Sequence, residues 1–164
     1  MQNLPFVALF YQPKTMKETL LALFDRDLEK LKTEILSYND TNALWRIDQK
    51  ISNSGGNLCL HLMGNLNHFI GALLGNSGYV RERELEFTQK NIPIPTLIQG
   101  IEDTKIVVQH TLSTLSDADF ARDFPFALFK QNNTTTYVLW HLLTHLNYHL
   151  GQINYHRRIL DTTK

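Results

Sequence analysis

Four stretches of the chain repeat apolar residues at steps of three and four, the period of a helix with one buried face. The first runs from about Lys14 to Tyr38, with Leu20, Phe24, Leu28, Leu31 and Ile35 on one face and charged residues between them. Asn39-Asp40 ends it. The second, from about Asn57 to Leu74, is apolar nearly all round, which predicts a central helix. Gly55-Gly56 and Gly75-Asn76 supply its start and stop signals. The third, from about Thr96 to Leu115, carries Leu97, Ile101, Val108, Leu112 and Leu115. Pro93 and Pro95 stand before it, where proline restricts the chain without breaking a helix. The fourth, from about Thr135 to Leu160, carries Val138, Leu142, Leu146, Leu150, Ile153 and Leu160. Thr134, Thr135 and Thr136 are its N-cap candidates, and Arg157-Arg158 suit its C-terminal dipole. No segment alternates as a half-buried strand would. The pattern predicts an all-α fold, most simply a four-helix bundle, and the long stretch from Gly75 to Pro95 allows a crossover between helices two and three.

With 164 residues, 43% hydrophobic, and zero net charge, the chain reads as a single domain over residues 1–164 that buries a real core. Lys+Arg and Asp+Glu balance at 16 each, so there is no basic face for nucleic acid. One cysteine excludes an intrachain disulfide framework and multi-cysteine metal sites, and fits a reduced, cytoplasmic setting. Met1 to Pro13 lacks the features of a signal peptide. Two stretches, Ile51 to Val80 and Gln131 to His156, contain no Asp, Glu, Lys or Arg. Their regularly spaced Asn, Gln, His and Gly would be costly in lipid, so they are expected to be helices buried on most sides and not membrane spans.

Seven histidines are the unusual count. His145 and His149 lie four apart, one turn of helix, with Cβ atoms roughly 5–6 Å apart. That spacing lets two imidazoles meet one metal at ~2.0–2.1 Å per bond. His141 extends the row, but it lies about 12 Å along the axis from His149, so the row offers one pair, 141/145 or 145/149. Helix two supplies His61 or His68 as a third ligand, with Asn65 between them. A lone buried histidine is more often a hydrogen-bonded core residue. Two in a charge-free helix, with a third in another, tilt the balance to a metal, because burying imidazoles without a partner costs desolvation each time. His110, in a charged helix, and His156, beside Arg157-Arg158, read as solvated.

The remaining features carry less. Cys59 reads as a small buried apolar residue. Asn132-Asn133-Thr134 and Asn39-Asp40-Thr41 match a glycosylation pattern but read as turn and cap residues. The run Arg81-Glu82-Arg83-Glu84 reads as a solvated loop in preference to a lip over the site or an anion-binding patch. Phe124, Phe126 and Phe129 read as a cap on the bundle.

The segment His145-Leu146-Asn147-Tyr148-His149-Leu150-Gly151-Gln152-Ile153 resembles the helix-four signature of the DinB-like family. Gly56 to Leu66 is similar to helix two of one subgroup, which also carries Arg81-x-Arg83-x-x-Glu86-Phe87. The resemblance covers about Lys14 to Leu160. It implies a four-helix bundle with a long crossover and a divalent metal held by His61, His145 and His149, with Gly151 allowing close helix packing and Gln152 supporting a ligand. Many relatives carry Arg or His where this chain has Leu150. Similar proteins include transferases using low-molecular-weight thiols and thiol-dependent isomerases, and they often form homodimers.

Three expectations follow. The first is a metal-dependent enzyme, a thiol S-transferase or a hydrolase acting through metal-activated water. Zinc or nickel is the expected ion; iron, manganese and copper also suit three imidazoles. Asn65 and Gln152 would orient imidazoles or water, and His141 would accept a proton near the site. The second is a non-catalytic metal- or small-ligand-binding module. The third is a structural homodimer with an empty histidine cluster. A small-molecule substrate is expected as partner; nucleic acid and membrane are not.

Overall fold

A computed structural model describes residues 15–48, 50–127, 129–131 and 133–161. Met1 to Lys14 and Asn132 lie outside the described residues, and with them the reading of the leader segment. Helix α1 spans Met16–Leu36 and starts at a reciprocal cap: Thr15 Oγ1 accepts from Glu18 N, and Glu18 Oε2 accepts from Thr15 N. Its face Leu20, Phe24, Leu28, Leu31 and Ile35 is buried as the period required. Asp27 is also fully buried, bonded by Arg26 Nε at 2.8 Å and by the Asn147 side chain of the last helix.

After a short 3-10 turn, Ala43–Trp45, helix α2 spans Gly55–Leu66 and continues without a break as a π-helix, Asn67–Leu74. Ser54 caps it, so it starts two residues before the expected point. Gly56 is needed there because a Cβ would strike the Trp45 indole at 2.6 Å. A short helix α3, Arg83–Thr88, breaks the connection that the sequence left as loop. Helix α4 spans Ile94–Thr114, with Pro95 inside its first turn. Helix α5, Asp117–Ala121, and helix α6, Thr135–Leu160, complete the chain; Thr134 is the N-cap of α6. Among the described residues there is no strand, only an isolated bridge between Asp123 and Thr134.

The long helices α1 and α2 each pack against both α4 and α6. One continuous core runs between them, from Leu20 and Phe24 through Leu62 and Ile101 to Leu146 and Ile153. No described helix is long and apolar enough to cross a membrane.

One histidine overturns its expectation. His156 is 3% exposed, not solvated. Its Nε2–H donates to the Arg46 carbonyl at 2.9 Å, which leaves Nδ1 to accept from the Tyr38 hydroxyl at 2.8 Å. The imidazole therefore ties α6 to the ends of α1 and of the 3-10 turn. Burial keeps its pKa below the ordinary value, the carbonyl bond opposing it. His110 is exposed, as expected.

Candidate metal centre

His61 lies on the buried face of α2, and His145 and His149 lie one turn apart on α6, which packs against α2. Their three Nε2 atoms converge. His145 Nε2 is 3.3 Å from His61 Nε2 and 3.0 Å from His149 Nε2, and the three ligating atoms lie within 4.8 Å of one another. Four ligands at ~2.0–2.1 Å around a tetrahedral ion stand about 3.3–3.4 Å apart. Among the described residues this is the one His/Cys/Asp/Glu group of that kind.

The protons do not suffice to satisfy this cluster. His61 Nδ1 donates to Glu86 Oε2 at 2.8 Å, so its Nε2 carries a lone pair. His149 Nδ1 donates to Gln152 Oε1 at 2.6 Å, so its Nε2 carries another. Both lone pairs aim at His145 Nε2, which has at most one proton to offer. A cation at the centre satisfies all three nitrogens at once, and the residues present fit one.

Burial biases all three imidazoles towards the neutral form, the one that ligates. Burial lowers the His61 pKa, with Glu86 opposing it. Burial and then the neighbouring His149 and His61 push His145 down to about 4. Burial likewise lowers His149. The Phe87 ring lies 5.1 Å from His61, and the Tyr148 ring 5.2 Å from His149.

The residue whose role the sequence reading left open is Glu86, part of the motif Arg81-x-Arg83-x-x-Glu86-Phe87. It is 5% exposed on α3, two residues beyond the run Arg81 to Glu84 that reads as a solvated loop. Arg81 grips its carboxylate with two bonds, Nε to Oε1 at 2.6 Å and Nη2 to Oε2 at 2.8 Å. Asn57 Nδ2 donates to the carbonyls of Glu86 and Gln89, at 3.0 and 2.9 Å, which pins α3 onto α2. Gly64 makes room: a Cβ there would overlap the Glu86 carboxyl group. The signal was available, since a histidine ligand commonly donates its other N–H to a carboxylate. Here the carboxylate follows the ligand by 25 residues.

Gln152 sits where it orients a ligand. His141 is exposed, its ring centroid 6.3 Å from that of His145 and 4.8 Å from that of Phe129, and it stays outside the cluster. His68 also stays outside. Asn65 is buried but orients no imidazole; its Oδ1 has no hydrogen-bond partner. Within the single chain Gly151 packs against no other helix: it is exposed, and a Cβ there would meet nothing within 4 Å. Cys59 is buried and inert, its thiol pushed up to about 12 by burial. Phe124 is buried, whereas Phe126 is exposed.

Fold and site together define an all-helical protein with a three-histidine centre backed by a carboxylate. Residues 14–164 match the family described as "Protein of unknown function (DUF1572)", a family of DinB-like type, and the chain belongs to it. No curated protein and no solved structure matches the chain.

Proposed function

We propose that this protein is a metal-dependent enzyme, a thiol S-transferase in which a thiolate attacks an electrophile, built on a four-helix bundle with a DinB-like crossover. The same centre suits a hydrolase. The observation that carries the reading is the convergence of three Nε2 atoms with too few protons among them. Zinc or nickel is the proposed ion, with iron, manganese and copper suiting the same ligands. When bound, such an ion supplies Lewis acidity that favours a thiolate over a thiol, or hydroxide over water. The chain does the rest. Glu86 and Gln152 hold His61 and His149 in the ligating tautomer. Arg81 neutralises the Glu86 carboxylate. His141, exposed one turn before His145, is the proposed proton acceptor at the rim, and the cytoplasm is the proposed setting.

The test is elemental mass spectrometry on untagged protein purified without chelator. About one equivalent of metal in wild type, lost in His61→Ala, His145→Ala and His149→Ala and kept in His141→Ala and His68→Ala, is the expected result. Wild type that stays metal-free after incubation with zinc and nickel refutes the reading.

The same reading includes a homodimer, for which α6 offers a face. Tyr137, Trp140, Tyr148, Tyr155 and Ile159 fall on one helical stripe and are 45%, 38%, 64%, 64% and 54% exposed. At roughly 150–250 Å² per aromatic side chain, they leave about 400–500 Å² uncovered. A standard interface takes ~800 Å² per partner, so this stripe would supply more than half of one. Gly151 at its centre lets a second helix approach closely.

A further inference from the structure

We infer that the cleft between residues 50–53 and the C-terminal turns of α6 binds a small monocarboxylic acid with an apolar body, its carboxylate on Lys50. The site goes beyond the metal-centre reading and stands whether or not that centre takes a metal.

The cleft has a volume of about 280 Å³. That is the small end for ligand pockets, which run ~300–1,000 Å³. It equals the room of about nine waters at ~30 Å³ each, enough for one ring or a short chain. Ile51, Leu58, Tyr155 and Ile159 supply its apolar wall, and Lys50 and Gln152 stand among its polar residues. Its floor is preformed. Leu58 belongs to the buried core, and His156, which also lines the cleft, is held through both ring nitrogens by the Arg46 carbonyl and the Tyr38 hydroxyl. Ser54 caps α2 directly after residues 50–53. A ligand therefore meets a cavity already made and does not have to order it.

The charge of the wall decides the ligand's sign. Lys50 is the one charged side chain lining the cleft, and no carboxylate lines it. Two more cations stand close by in the chain: Arg46 donates to the Leu160 carbonyl, and Arg158 lies over the Tyr155 ring at 5.7 Å. None of the three forms an ion pair with another described residue. The acids at this end of the bundle are engaged or solvated. Asp161 accepts from the backbone N–H groups of Asn39 and Asp40, Asp40 accepts from Asn42 N, and Asp48 is exposed. A cleft lined by one sign of charge concentrates the opposite ion.

One ammonium matches one negative charge, and the apolar wall favours an organic acid over a small inorganic ion. Gln152 adds a donor: its Oε1 accepts from His149 and one N–H goes to the Tyr148 hydroxyl at 3.2 Å, which leaves the second N–H uncommitted. Other clefts lack this combination. The groove between α1 and α6 presents Lys30 and Glu34 together, and the cleft at Trp45 and Pro93 is lined by no charged residue.

Titration of nitrogen-15-labelled, metal-free protein with 3-phenylpropionate, 3-phenylpropionamide and acetate, followed by NMR and repeated after adding zinc, tests this. 3-Phenylpropionate should shift the amide signals of residues 51–53 and 152–159 saturably, with or without zinc. It should bind about threefold more tightly than the amide, the gain from one partly exposed ion pair. It should bind about tenfold more tightly than acetate, the gain from burying its apolar body. Lys50→Met should abolish the preference over the amide, and Lys50→Arg should keep it. Ile159→Glu, at an exposed position, should weaken binding of the acid about threefold by like-charge repulsion and leave Tm unchanged. No saturable shift up to about 20 mM, well past the Kd such a small ligand needs, overturns the site. So does an amide or acetate bound as tightly as the acid, or a preference undiminished in Lys50→Met. An acid that binds only with zinc, and equally in Lys50→Met, sits on the metal; that result overturns the cleft and leaves the metal-centre reading standing. Tyr155 and Ile159 also belong to the exposed stripe of α6, so light scattering reads the oligomeric state of the titrated sample, and absence of binding overturns the site in either state.

Discussion

Replacing Glu86 by Gln perturbs the centre without touching a ligand. The carboxylate accepts three hydrogen bonds, one from His61 Nδ1 and two from Arg81, and its side chain is 6% exposed against 12% for Arg81. An amide of the same shape keeps one acceptor oxygen and turns an NH2 group towards His61 or Arg81, both donors. Two effects follow. Losing the carboxylate behind a histidine ligand typically costs 10–100-fold in metal affinity, about 1.4–2.7 kcal/mol. Removing one partner of a buried ion pair costs about 3–5 kcal/mol of stability, because the other charge stays desolvated. The first is read by competing the protein against a chromophoric zinc chelator, the second by urea unfolding of the metal-free form. Glu86→Gln should be weaker on both counts. Adding Arg81→Met should recover much of the stability but none of the metal affinity, since the stranded charge is removed while His61 stays unsupported. A folded Glu86→Gln protein with zinc affinity within about threefold of wild type would refute the claim that this carboxylate orients the ligand, the typical loss being tenfold or more.

Three further outcomes follow from the same contacts. Adding zinc to about 100 times its Kd should stabilise the fold by about 2.7 kcal/mol, seen as a raised Tm that EDTA reverses; an unmoved Tm would argue for a purely polar cluster. His61, His145, His149 and His156 all have pKa values lowered in the fold, so the unfolded chain takes up protons first as pH falls through about 6.5. The metal-free protein should therefore lose stability between about pH 7 and pH 5 in urea unfolding, and constant or rising stability over that range would contradict the burial of these neutral rings. Gly151→Ala separates the two states of α6: helix propensity alone should stabilise a lone chain by about 1 kcal/mol, whereas a close-packed second helix would be pushed away, and light scattering together with Tm distinguishes them.

How much of this was legible in the sequence depended on whether a signal was local. The four long helices were, because each repeats its own buried positions within one segment: Leu20 to Ile35 and Val138 to Leu160 kept the faces their periods required. The pairing of His145 with His149 was local too, one helical turn on one face, whereas placing His61 opposite them needed the resemblance as well as spacing. Glu86 was not local. It reaches His61 from a short helix beyond a loop, and the resemblance placed it in the motif Arg81-x-Arg83-x-x-Glu86-Phe87 without saying what it touches. What buries it is Arg81 on one side and the absence of a side chain at Gly64 on the other. His156 was misread by the opposite route: its neighbours Arg157-Arg158 drew it towards solvent, although it follows Ile153 by three and precedes Leu160 by four, which is the core register.

The charge-free run through α6 poses the remaining problem. Lack of charge predicted a helix buried on most sides, yet Tyr137, Trp140, His141, Tyr148, Gly151, Gln152 and Tyr155 are exposed in the single chain. A solvated helix face of that length ordinarily carries Lys and Glu, and α1 shows that this chain uses them freely where a face meets water. Composition and exposure agree if that face meets another surface. The stripe also adjoins the centre, since Tyr148 lies against His149 and receives a hydrogen bond from Gln152, so the surface that covers α6 would also shape the mouth of the metal site. Oligomeric state and metal affinity are then linked quantities: a substitution such as Gly151→Arg, with no contact to any ligand, should lower both together, and zinc affinity unchanged in a monomeric Gly151→Arg protein would separate them.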